Sequence, residues 1–222
     1  CQYVVVSIFV NPTQFGPGED FNKYPRNLAQ DLRICRTHGV DLVFAPTDEE
    51  MYPQKCLTFV NVEKLSEPMC GRSRPTHFKG VATVCAKLFN IVRPDLAYFG
   101  QKDAQQAVII KKMVDDLNMN LKIVVCPIVR EPDGLALSSR NRYLNAQQRK
   151  EALAIYNALE KFKQDVKNGK TSAAELKKSM QNVLNKSPNL KTEYIEIADM
   201  SNLQPLKNIR GTVIAALAAK TG

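Results

Sequence analysis

Three short segments combine residue types that bind polar anions. Residues 100–106 read Gly-Gln-Lys-Asp-Ala-Gln-Gln. Gly100 lets a backbone approach a ligand closely. Lys102 adds a mobile positive charge, and the free N–H groups at the start of a following helix favour an anion. That suits a nucleotide phosphate, with Gln101 alongside and Asp103 placed to accept from a ribose hydroxyl. The same Asp103-x-x-Gln106 spacing also fits a helix capping box. Residues 137–141 read Leu-Ser-Ser-Arg-Asn. Two adjacent hydroxyls, Ser138 and Ser139, and the bidentate guanidinium of Arg140 can wrap a triphosphate. They can equally form a Ser-rich turn with an exposed arginine. Gln14 and Gln106 each offer amide donors and an acceptor, which suits a ligand carrying hydroxyls beside a carboxylate. A neutral amide positions a carboxylate without a tight ion pair that would blunt its nucleophilicity. Both glutamines also fit as plain surface amides. Neither GxxxxGK[ST] nor a GxGxxG after a strand occurs, so a bound nucleotide would be held in another way. Of the two histidines, His38 reads as a solvated or dipole-compensating residue at a helix end. His77 stands near a helix start, where a lone histidine is more often structural than catalytic.

The elements that must position these segments follow from periodicity. Residues 3–10 (YVVVSIFV) read as a fully buried strand, broken by Asn11-Pro12. Pro25 suits a helix N1 position, and Leu28, Leu32 and Cys35 give a helical stripe ending at Gly39. Residues 41–45 and 57–62 read as strands, the second followed by a polar loop over residues 64–76. Val81, Val84, Cys85, Leu88 and Phe89 mark a helix over residues 77–92, ended by Pro94. A strand at 96–99, a helix at 103–118 and a strand at 121–126 complete an alternation that predicts a doubly wound parallel α/β sheet. Ligands of such sheets sit beyond the C-terminal strand ends. Residues 11–15, 100–106 and 127–141 follow three of those ends and should converge on one crevice. After the turn signal Glu131-Pro132-Asp133-Gly134, capping patterns at Asn145/Gln148 and Ser172/Glu175 open two helices. Two strand-like runs at 192–198 and 212–217 follow. Residues 1–128 and 129–222 thus divide into a nucleotide-binding domain and a smaller α+β domain.

Composition limits the classes. The chain has 222 residues, 44% hydrophobic and 24% charged, which excludes disorder and disulfide-stapled miniproteins. No apolar run approaches the ~20 residues of a membrane span, and no secretory signal pattern is present. The formal charge of +9 is spread without a run of five Lys or Arg, so a solvated basic surface is favoured over a nucleic-acid groove. Six cysteines without a CxxC pair argue for a reducing, cytoplasmic setting and against zinc. Cys85 and Cys126 read as core thiols.

FVNPTQF (residues 9–15), YPRNLAQDL (24–32), GRSRPTHFKGVATVCAKLFNIVRPDLAYFGQKDAQQ (71–106) and PIVREPDGLALSSRNRYL (127–144) resemble the pantothenate synthetase (pantoate–β-alanine ligase) family over essentially the whole chain. The resemblance implies condensation of D-pantoate with β-alanine, using ATP and Mg²⁺ and releasing AMP and pyrophosphate. It implies a Rossmann-like, nucleotidyltransferase-type fold with a C-terminal lid, a homodimer, and small-molecule partners rather than nucleic acid or membrane. By motif, Gln14 and Gln106 would hold pantoate, Gln14 also lying near β-alanine. Gly100, Gln101, Lys102 and Asp103 would lie along ATP, Val129 would contact adenine, and Leu137, Ser138, Ser139 and Arg140 would hold the triphosphate. Leu137 stands where the family usually has Met. Lys102, Arg140, Ser138 and Ser139 would carry the catalytic electrostatics.

Two departures accompany the resemblance. The family's HxGH motif does not occur in this sequence, and neither His38 nor His77 replaces it by motif. Since the chain starts at Cys1 inside a strand-like run, the expectation is a polypeptide missing its first strand and helix. The alternative is then a catalytically inactive fragment of the enzyme. The acidic residues that some members use for metal are matched only by Asp31 beside Gln30, so the metal ligands stay unassigned.

Overall fold

A computed structural model describes residues 2–221. Strand β1 (Val5–Ser7) runs into a 3-10 turn (Pro12–Gln14), and helix α1 (Leu28–Thr37) leads to β2 (Leu42–Phe44). Short helices α2 (Asp48–Met51) and α3 (Cys70–Ser73) precede the long apolar helix α4 (His77–Val92). Strand β3 (Leu96–Gly100), a 3-10 turn (Gln101–Asp103), helix α5 (Ala104–Asp116) and β4 (Lys122–Cys126) follow. The strand–helix alternation is the expected α/β architecture. Its strands pair in parallel as β1 with β2 and β3 with β4, and among the described residues no ladder joins the two pairs. The α4–α5 layer packs on them through Val81, Val84, Ile110, Met113 and Val114, all buried.

The second half begins with a tight hairpin, where Gly134 at φ +98° donates its N–H to the Glu131 carbonyl. A 3-10 turn (Ser139–Tyr143) follows, then α6 (Ala146–Lys167), α7 (Ala173–Leu184), β5 (Leu190–Asp199) and β6 (Val213–Thr221). β5 and β6 form an antiparallel pair under the two helices. Asn145 and Gln148 form the full capping box expected; at Ser172 only the side-chain acceptance from Glu175 N–H is made. α6 and α7 are also tied by a buried carboxylate. Asp165 accepts from Ser179 Oγ at 2.6 Å and faces Lys161 Nζ at 3.0 Å and Lys170 Nζ at 2.9 Å.

The halves share an apolar cluster in which Leu65, Met69, Phe78 and Ile109 meet Ala198, Leu203 and Ile214. Beside it Glu196 on β5 accepts from Arg72 at 3.2 Å and Lys177 at 2.5 Å.

Several sequence expectations need correction. Only Val5–Ser7 of residues 3–10 forms a ladder, because the chain turns into the Pro12–Gln14 3-10 helix. Tyr3 and Val4 are exposed rather than buried. Residues 57–62 are extended but unpaired: Val60 donates its N–H to Thr83 Oγ1 at 3.0 Å instead of to a strand. Helix α1 starts after Asn27, whose side chain accepts from Gln30 N–H, and not at Pro25. Of its stripe only Cys35 is buried; Leu28 and Leu32 are exposed.

Candidate active site

The crevice is built from its floor upward. Asn11, 2% exposed, is its main anchor. Its Oδ1 accepts from Tyr52 Oη at 2.8 Å and Thr13 Oγ1 at 3.0 Å, and its Nδ2 donates to the Gly80 carbonyl at 3.1 Å. Nδ2 also lies 3.4 Å from Gln14 Oε1. That bond leaves the Gln14 NH₂ as the group presented to a ligand. Glycine at 80 is required for this approach: a Cβ there would lie 2.4 Å from the Thr13 carbonyl oxygen. α4 can thus press its first turn against the segment that carries Gln14.

The Gln14 carbonyl accepts from Arg74 Nη2 at 3.2 Å and from His77 Nδ1 at 2.9 Å. This fixes the His77 tautomer with the proton on Nδ1, and Nε2 has no protein partner among the described residues. Burial pushes His77 below the ordinary histidine value; the hydrogen bond to the Gln14 carbonyl opposes it most, Arg74 pushes the same way as burial, and Glu19 and Asp103 oppose it. The net shift is downward and favours the neutral ring, whose Nε2 lone pair can accept a hydrogen bond. Arg74 is itself clamped by both oxygens of Glu19.

Gln14, His77, Lys102, Asp103, Gln106, Leu137, Ser138, Ser139 and Arg140 line one cavity of about 610 Å³, with Tyr24 and Arg74. An adjoining cavity of about 470 Å³ adds Gln101 and Arg130. The three predicted segments therefore converge. The capping-box alternative for Asp103 and Gln106 is not realised, since Asp103 caps the start of α5 without a side-chain bond. Its carboxylate lies 3.6 Å from Lys102 Nζ instead. Ser138 accepts from Arg140 N–H at 3.3 Å and so shapes the turn. Gly100 and Val129 line neither cavity. A Cβ at Gly100 would meet no atom within 4 Å, so the backbone there is open to approach. Val129 is 66% exposed, while its carbonyl accepts from Leu137 N–H at 3.0 Å.

The geometry adds residues that local spacing did not single out. Asn11 and Tyr52 set the Gln14 turn, and Arg74 and Glu19 close one wall. Asp20 holds Arg140 through two bonds of 2.8 Å. The Arg140 guanidinium beside it keeps the Asp20 carboxyl below the ordinary carboxylate range. Among the described residues no three carboxylate, histidine or cysteine side chains gather as a metal ligand set. The crevice concentrates cations and amide donors around a space of nucleotide size. It can bind a polyanion together with a hydroxylated carboxylate.

The family model described as pantoate-β-alanine ligase matches residues 1–222. The chain belongs to that family. Pantothenate synthetases of Acetivibrio thermocellus and Thermosipho africanus are 52% and 54% identical to it, over 99% and 98% of this chain and 78% of each relative. The crystal structure of the Thermus thermophilus pantothenate synthetase superposes with a TM-score of 0.96 at 44% identity, covering 99% of this chain and 80% of that one. A Francisella tularensis pantoate-β-alanine ligase, crystallised with β-γ ATP and β-alanine, gives a TM-score of 0.74 at 38% identity over 87% of this chain and 70% of that one. As a member of the pantoate–β-alanine ligase family the chain is an enzyme of the ligase class, with the α/β fold of its relatives. No helix among the described residues is long and apolar enough to cross a membrane.

Proposed function

We propose that this enzyme condenses D-pantoate with β-alanine at the expense of ATP, through a pantoyl-adenylate intermediate. The observation that carries the reading is the convergence of Gln14, Gln106, Lys102, Ser138, Ser139 and Arg140 on one cavity of about 610 Å³. The Francisella relative with β-γ ATP and β-alanine supports the same two ligands here.

In the first step a pantoate carboxylate oxygen attacks the α-phosphorus of ATP. A carboxylate–phosphorus bond forms, the bond to the β-phosphate bridging oxygen breaks, and pyrophosphate leaves. Gln14 and Gln106 hold pantoate by its hydroxyls and carboxylate. Gly100, Gln101, Lys102 and Asp103 run along the nucleotide, Asp103 toward ribose, and Val129 borders the adenine. Lys102, Ser138, Ser139 and Arg140 stabilise charge developing on the phosphate oxygens and on pyrophosphate. This is positioning and electrostatics, as in other phosphoryl transfers.

In the second step the β-alanine amine attacks the acyl carbon. The bond to the AMP oxygen breaks, the nitrogen loses its proton, and pantothenate and AMP result. The adenylate is a mixed anhydride that water would destroy, so closure must exclude water. Residues 129–222 serve as the lid, with the Ser139–Tyr143 turn facing the crevice.

Mg²⁺ belongs to what the resemblance implies. Glu19 and Asp20 are each held by an arginine, and among the described residues no three carboxylate, histidine or cysteine side chains gather, so these carboxylates do not form a ligand set for it. A phosphate-held ion needs few protein ligands. The free thiols of Cys35, Cys56, Cys70, Cys85 and Cys126 suit a cytoplasmic setting, and a homodimer is the assembly the family implies.

The test is product formation. The protein from the complete gene, incubated with ATP, D-pantoate and β-alanine, is expected to yield pantothenate and AMP by mass spectrometry. Omitting any one substrate should abolish both. Pantothenate formed without ATP, or none with all three, contradicts the reading.

A further inference from the structure

Residues 16–24 cross the mouth of the crevice without regular structure, and adjacent carboxylates tie them to opposite walls. Glu19 clamps Arg74 beside the Gln14 carbonyl. Asp20 takes Arg140 in a two-bond fork, Nε to Oδ2 and Nη2 to Oδ1, both at 2.8 Å. Two more contacts join this strap to the Ser139–Tyr143 turn. Tyr143 Oη donates to the Lys23 carbonyl at 2.6 Å, and the Arg140 guanidinium stacks 5.2 Å from the Tyr24 ring centroid. The strap holds its own shape through Phe15, which packs edge-on against Phe21 at 5.2 Å and Tyr24 at 6.0 Å.

The fork matters because of what Arg140 is for. A guanidinium satisfied by a carboxylate through Nε and one Nη presents the same edge that would grip a phosphate. It cannot hold both through that edge. Both partners keep solvent access, with side-chain exposures of 48% and 26%, so the pair is weak enough to open.

We infer that Asp20 is a positioning residue that parks Arg140 against the strap and hands it over when a nucleotide triphosphate enters. The inference rests on the assignment of Arg140 to the triphosphate. Parking keeps the guanidinium over the crevice mouth, and exchange of one anion for another ties strap release to nucleotide binding. The apparent affinity for ATP is then reduced by the fraction of molecules in which the fork is closed. Glu19 and Arg74 keep the other end of the strap anchored during this exchange.

The experiment compares Asp20→Asn, Asp20→Glu and Arg140→Ala with the parent protein from the complete gene. ATP binding is measured by calorimetry, and backbone exchange of residues 16–24 by deuterium uptake. Asp20→Asn is expected to tighten ATP binding about threefold to fivefold, the worth of a half-exposed ion pair. The steady-state KM for ATP should fall with it, and the KM for pantoate should not move. The variant strap should exchange fast without nucleotide, while in the parent it becomes fast only when ATP is added. Asp20→Glu, which keeps the carboxylate, should restore parent affinity. ATP binding by Asp20→Asn that is unchanged or weaker, with Arg140→Ala weakened, overturns the hand-over alone. ATP binding unchanged in Arg140→Ala overturns the triphosphate assignment and the hand-over with it.

Discussion

In the proposed reaction Lys102 is the residue assigned most directly to the phosphates. Its nearest partner is Asp103 at 3.6 Å, too long for a firm hydrogen bond, and its side chain is 41% exposed. A surface ion pair of that kind contributes little to stability. Its charge is therefore available to a ligand in the cavity it lines. Lys102→Ala is expected to lower kcat/KM for ATP about 100-fold, the usual effect of removing one donor from a site of developing charge, with an unchanged circular dichroism spectrum. A loss under about fivefold would reduce Lys102 to a surface ion-pair partner. Residues of this kind were legible in the sequence because each sits inside a short contiguous segment after a strand. Asp20, Arg74 and Tyr52 were not. Asp20 meets Arg140 across 120 positions and Tyr52 meets Asn11 across 41, and no local spacing encodes such pairings.

At the scale of elements, the helices α4 and α5 and the Asn145 capping box followed from periodicity and cap chemistry, which act within a few residues. The strands were less legible. A β-branched run states only that a segment can be extended, and pairing depends on a neighbour elsewhere in the chain. Residues 57–62 show this: Val60 and Val62 pack against the core, but the Val60 N–H goes to a threonine side chain. Besides its apolar packing, the α6–α7 pair carries one tie that neither pattern nor propensity announces. Asp165 is buried, and Ser179, Lys170 and Lys161 together hold its carboxyl far below the ordinary value of 3.8. A carboxylate with a depressed folded-state pKa stabilises the fold in full at pH values above the unfolded value; that contribution begins to shrink below the unfolded value and is lost only as pH falls through the depressed folded value. Asp165→Asn should cost about 2 kcal/mol at pH 7. That is less than for a fully enclosed pair, because both lysines reach solvent. Urea unfolding at pH 7 and pH 3 checks it: the gap between parent and variant should shrink at the lower pH. An equal gap at both values would mean that the carboxylate charge is not what joins the helices.

At the scale of the whole molecule, two halves with separate cores meet along the cluster of Phe78, Ile109, Leu203 and Ile214 and face each other across the crevice. The first half brings Gln14, Gln106 and Lys102. The second brings Ser138, Ser139 and Arg140. Neither half holds the full set, so the proposed activation of a carboxylate would need the two to meet over one nucleotide. The most direct measurement of that claim is ATP–pyrophosphate exchange by the protein from the complete gene, with D-pantoate and without β-alanine. Exchange that needs pantoate and runs in the absence of β-alanine is the predicted result, because adenylation then precedes and does not require the amine. Exchange without pantoate, or exchange only once β-alanine is present, would contradict a pantoyl adenylate formed in this crevice.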